Sequence, residues 1–157
     1  MNSRPRWALW DQATNQVYAN IRDPARIVVI DAASRQICGE FAVPAEGPHG
    51  LCIDGEWMYC AADGNALVIL HRDTGEVGSV LPLPGTPDVV MHDKALGHLY
   101  VAIGDPGVIA VADMASPQII EVVETEAGAH TLGIDEDHHT VYAFLPGSGG
   151  AAVYEDR

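Results

Sequence analysis

Four tyrosines recur at separations of 41, 41 and 42 residues, each in the same local text: Val17-Tyr18-Ala19, Met58-Tyr59-Cys60, Leu99-Tyr100-Val101 and Val141-Tyr142-Ala143. A period of this length constrains the fold more than composition can, because each copy has to be one structural unit. The neighbouring text aligns too. An aspartate precedes each tyrosine by seven residues, or by five in the shortened second copy: Asp11, Asp54, Asp93 and Asp135. A β-rich segment follows each tyrosine, from Arg26 to Asp31, Leu67 to His71, Ile109 to Asp113 and Ala151 to Tyr154. Three copies then continue through a turn into another strand-like stretch, Gln36 to Val43, Glu76 to Leu83 and Gln118 to Glu124.

Each copy therefore reads as four short strands separated by turns of Gly, Pro, Asp and Asn. No segment carries the roughly 3.6-residue apolar period over the length of a helix. One small twisted sheet cannot bury both faces alone, but sheets packed face to face around an axis can. The expectation is an all-β fold, a β-propeller with about four blades per chain at 4–44, 45–84, 85–126 and 127–157. The innermost strands fall at about 5–10, 49–53, 88–92 and 130–134, and the fourth blade lacks its outer strand. The text shows no linker and no second domain.

The stretch "VYANIRDPARIVVIDAASRQICGEFAVPAEGPHGLCID" resembles the YVTN repeat, in Tyr18-Ala19-Asn20, Val28-Val29-Ile30-Asp31 and Gly47-Pro48-His49-Gly50. Later copies are looser: Ala61 stands where the pattern has Asn, His71 where it has Asp, and Ala129 where it has Pro. The resemblance covers nearly the whole chain and implies a propeller similar in architecture to virginiamycin B lyase and the lactonase-type propellers. It brings no complete catalytic motif with it. Members of the family usually have seven or so blades in one chain, about twice the number read here.

Aligning the copies puts Arg6, His49, Asp88 and His130 at one equivalent position, where the innermost strand begins, with separations of 43, 39 and 42. In a propeller these side chains converge on the mouth of the axial channel, and ligands usually bind there. The loops between second and third strands add Asp23, Asp63 and Asp105 on the same face, with Asn20 and Asn65 nearby. Two imidazoles and a carboxylate, His49, His130 and Asp88, can hold a divalent metal such as zinc, iron or nickel. They can also act as a general acid–base pair. The competing reading is a polar channel lining, and for the loop aspartates simple turn formation is the favoured one. His98, His138 and His139 fall in hairpin turns on the opposite face and are expected to be solvated. His92, aligned with Trp10, Ile53 and Ile134, is expected in the core or between blades, and Trp7, Trp10 and Trp57 in blade packing.

Composition narrows the function classes. Hydrophobic residues at 48% and charged residues at 19% describe a globular chain. A net charge of −14 repels phosphate backbones and anionic membranes, so neither nucleic acid nor membrane is an expected partner. The start of the chain has no apolar stretch of the secretory kind, which reads as a cytoplasmic protein. Cys38, Cys52 and Cys60 lie in apolar strand-like text without metal spacing and are expected as small buried hydrophobes. Residues 1–72 hold six arginines against eight acids, whereas residues 73–157 hold Lys94 and Arg157 against fourteen. Unlike ends and a half-sized repeat array predict a homodimer in which two chains close one propeller of about eight blades. Three functions remain, in this order: a module binding a metal or small polar ligand at the axial mouth, a metal-dependent lyase or lactone hydrolase using the axial histidines, and an interaction propeller without chemistry.

Overall fold

The repeated aspartate explains how each copy starts to fold. Asp11 accepts hydrogen bonds from the Ala13 amide and the Thr14 hydroxyl. Asp93 accepts from the amides of Ala95 and Leu96, and Asp135 from those of Asp137 and His138. Each carboxylate thus organises the turn that reverses the chain into the tyrosine strand. The second copy replaces this turn with the two-residue loop Gly55-Glu56, with Gly55 at φ 54°. Its aspartate therefore stands two residues nearer to its tyrosine.

The computed structural model describes residues 4–157. The first sheet contains β1 (Pro5–Asp11), β2 (Gln16–Ile21), β3 (Arg26–Asp31) and β4 (Gln36–Ala42). The second contains β5 (Pro48–Asp54), β6 (Trp57–Ala62), β7 (Ala66–His71) and β8 (Val77–Pro82). The third contains β9 (Pro87–Asp93), β10 (His98–Ile103), β11 (Val108–Asp113) and β12 (Gln118–Glu124). The fourth has three strands, β13 (Leu132–Asp135), β14 (Thr140–Leu145) and β15 (Gly150–Glu155). All are antiparallel meanders in chain order, and no helix occurs among the described residues. Accordingly, no helix is long and apolar enough to cross a membrane.

The sheets pack in series, with β1 against β5, β5 against β9 and β9 against β13. Each carries its tyrosine on one face, here called the front, and in the first three sheets this face meets the following sheet. Tyr18, Ile27 and Val29 meet Leu51, Met58, Cys60 and Leu70 of the second sheet. Tyr59 and Ile69 meet Leu99, Val101 and Ala112 of the third, and Tyr100, Ile109 and Val111 meet Leu132, Val141 and Ala143 of the fourth. Side chains alternate along a strand, so the middle strands of the second and third sheets each contribute to two cores. Each large apolar side chain buried there contributes about 1.5–3 kcal/mol.

Several expectations need correction. The fourth innermost strand begins at Leu132, so His130 lies in the preceding loop. Cys38 is exposed, whereas Cys52 and Cys60 are buried. Trp10 is largely exposed and Trp57 partly so, its ring edge-on to His71, and neither joins a core within the chain. His92 is half-buried, with Nε2 enclosed and without a hydrogen-bond partner, and burial lowers its pKa.

Candidate functional site

A common backbone device positions the aligned residues. Pro5 pairs with Ile21 and Ala8 with Ala19, so Arg6 and Trp7 together oppose Asn20 alone. In the same way His49 and Gly50 oppose Ala61, and Asp88 and Val89 oppose Ala102. Each innermost strand of the first three sheets therefore opens with a β-bulge, which turns a side chain out of the regular alternation. Pro5, Pro48 and Pro87 stand just before the bulges, at strand starts where a missing N–H costs no ladder bond.

The sheet-to-sheet fit holds the second bulge in place. Asn20 is fully buried, and its Nδ2 donates to the carbonyls of His49 at 2.8 Å and Gly50 at 3.1 Å. This is the physical role of the asparagine in Tyr18-Ala19-Asn20. Gly50 has to be glycine, since a Cβ there would stand 2.2 Å from the Asp88 carbonyl oxygen. Removing that side chain lets β5 and β9 approach closely at the axis.

His49 is the centre of the site. Its Nδ1 lies 3.1 Å from Asp63 Oδ1 and its Nε2 3.0 Å from Asp88 Oδ1. Carboxylate oxygens only accept, so each of these contacts is made through a proton on the ring nitrogen that faces it. Arg6 Nη2 lies 3.0 and 3.2 Å from the two ring nitrogens, against the ring and in line with neither lone pair. Arg22 in turn pairs with Asp63 Oδ2 at 3.0 Å. The Asp63 loop is fixed by its amide donating to the Gly47 carbonyl, and Gly47, at φ 64°, leaves room for the carboxylate.

These groups line one basin of about 810 Å³ at the axial end of the sheets. Arg6, His49, Asp88 and His130 all reach it, as do Asp23 and Asp105. The four aligned residues thus share one concavity, but only Arg6, His49 and Asp88 are in direct contact. His130 is held separately, its Nδ1 donating to the Gly128 carbonyl at 2.6 Å, which leaves Nε2 as its free ring atom. Among the described residues, no three His, Cys, Asp or Glu side chains are arranged to hold a metal ion. His49 can ligate one only by giving up a carboxylate partner.

Two site members escaped the alignment by residue type. Asp63, read as a turn former, orients His49, and Arg22 orients Asp63. Both stand four residues after their repeat tyrosine, so register to the tyrosine is the signal that identifies them. Asn65 accepts a hydrogen bond from Thr86 instead of entering the cluster. On the opposite face, His98 and His139 are not simply solvated. His98 pairs with Asp156 at 2.7 Å and His139 with the fully buried Asp93 at 2.7 Å, while His138 is exposed as expected.

No family model matches the chain, and no curated protein sequence matches it. Solved structures do. A chain of hydrazine synthase from Kuenenia stuttgartiensis superposes with a TM-score of 0.87 at 16% identity, over 96% of this chain and 46% of that one. The computationally designed Ika4 protein gives 0.82 at 16% identity, over 100% of this chain and 94% of that one. The designed Ika8 protein gives 0.79 at 15%, over 97% of this chain and 46% of that one. The chain thus spans about half the length of two of these proteins and nearly all of the third. At such identities the likeness is one of fold alone: an all-β, propeller-like array of four consecutive antiparallel sheets.

Proposed function

We propose that the chain is a half-propeller of the YVTN type, four blades with the last lacking its outer strand, and that it binds a small cationic ligand in the axial basin. The observation that carries this reading is the Arg6–His49–Asp63–Asp88 cluster, in which Arg6, His49 and Asp88 come from one repeat position and Asp63 from the neighbouring loop. Five carboxylates, Asp23, Glu46, Asp63, Asp88 and Asp105, line the basin against Arg6 and Arg22. That balance favours a cation, either a divalent metal ion or an organic amine. A metal would draw on His49, Asp88 and His130, and His49 would first have to release a carboxylate. Three free thiols agree with a reducing, cytoplasmic setting.

The test is calorimetric titration with zinc, nickel and manganese salts and with a series of primary amines. The wild type is expected to bind at least one probe, and a His49→Ala/His130→Ala double variant to lose that binding while keeping its circular dichroism spectrum. Equal binding by both proteins, or none by the wild type, refutes the reading. One feature supports an enzyme instead, since a carboxylate on each nitrogen of His49 orients the ring as a proton donor. Turnover of lactones or esters that disappears in His49→Ala would establish the lyase or lactonase alternative.

A further inference from the structure

The repeated face gives a direct measure of what is missing from this chain. Tyr18, Tyr59 and Tyr100 are 0, 3 and 2% exposed, each covered by the sheet that follows, whereas Tyr142 is 41% exposed. The cross-strand partner repeats the pattern: Val29, Ile69 and Val111 are buried at 3, 3 and 6%, and Val153 is 59% exposed. Phe144 continues this front face, and a Cβ added at Gly133 of β13 would meet only open space.

The back of the first sheet shows the converse. Met58, Leu99 and Val141 are buried against a preceding sheet, but their equivalent Val17 is only half-buried. Ile53 and Ile134 pack on a preceding core, whereas Trp10 in the same position is 57% exposed, and Ile37, on this back at the outermost strand, is 62% exposed. The first sheet and its turns, residues 4–42, carry five arginines against four acids. Residues 132–157, which contain the fourth sheet, carry one arginine against five acids.

We infer that the front of the fourth sheet docks on the back of the first sheet of a second copy, and that the reciprocal contact closes a two-chain ring. A second copy is the occupant because the two faces are the two sides of an interface that the chain already makes three times. Those three interfaces show that this front fits this back, and the opposite charge balance of the two ends favours the fourth. The superpositions agree in size, since two solved chains contain about two lengths of this one. In a two-fold ring both end faces are used and none remains, whereas an apolar patch of this kind left open is rare on a soluble monomer. The ring also brings a second Arg6–His49–Asp88–His130 set to the same axis, so each basin becomes half of a larger one. The closure does not depend on the ligand reading, since mass and ligand binding are measured separately.

Light scattering coupled to size exclusion tests it on the 157-residue chain. The expected mass is twice the 16.7 kDa of one chain. Val153→Asp and Ile37→Asp each alter an exposed side chain on one of the two end faces and are expected to halve that mass while the circular dichroism spectrum is unchanged. Val122→Asp, on an exposed position of an outer strand away from both faces, is expected to keep the doubled mass. A wild type of single-chain mass, a wild type of three or more chains, or a Val153→Asp variant that keeps the doubled mass would overturn the inference.

Discussion

Asn20 shows how a single side chain joins fold to site. It is fully buried on the front of the first sheet, and its amide is the donor for two carbonyls of the second bulge. Replacing it by alanine leaves those carbonyls without that donor, at a cost of about 1–3 kcal/mol. Denaturant unfolding of Asn20→Ala is expected to show this loss, with ligand binding weakened further because His49 is no longer fixed. The sequence made Asn20 visible as a motif residue, but its partner lies 29 residues away in the next sheet, and no local pattern reports such a bond. The cysteines show the same limit. Apolar neighbours predicted three buried thiols, yet Cys38 lies on an outermost strand beside a bulge, where one face is solvent. Burial pushes the Cys60 thiol up to about 12 and raises Cys52 as well. Thiol reagents at neutral pH are therefore expected to modify Cys38 rapidly, and Cys52 and Cys60 only after denaturation. Three equivalents labelled quickly in the native protein would contradict this.

Among the elements, the innermost hairpins were the most legible, because an aspartate turn and a two-residue glycine turn leave distinct spacings in the text. The hairpin of β9 and β10 adds a dependence on acidity. Burial alone would raise the Asp93 carboxyl, but the hydrogen bonds from His139, Leu96 and Ala95 outweigh it and hold the group below its ordinary value. A carboxylate depressed in the folded state takes up its proton more readily on unfolding. Its stabilisation is therefore complete above about pH 4 and is lost as pH falls through the folded value. Melting temperature should fall as pH drops below about 4, and more gently in Asp93→Asn, which starts lower at neutral pH. An identical acid profile in both proteins would remove Asp93 from the account. The hydrogen bond with His139 was not legible, since the two residues are 46 apart and meet only because consecutive sheets align their turns.

For the whole molecule, the period in the sequence was enough to order the sheets. The exposed faces of the end sheets were not legible, because residues that read as core in every copy lose their cover only where the series has no neighbour. If two chains close the ring, unfolding is coupled to dissociation, and the melting temperature should rise with protein concentration. Calorimetry at low and high concentration is expected to show that rise for the wild type and none for Val153→Asp. The bulges have a further consequence for how such a protein changes over time. Residues 6, 49 and 88 project from extra positions outside the regular alternation of strand residues, and residue 130 from a loop. The chain already holds arginine, aspartate and histidine at this one equivalent place. Substitution there alters what the axis can recognise and leaves the apolar cores between the sheets untouched, so new specificities are open to selection at a small cost in stability.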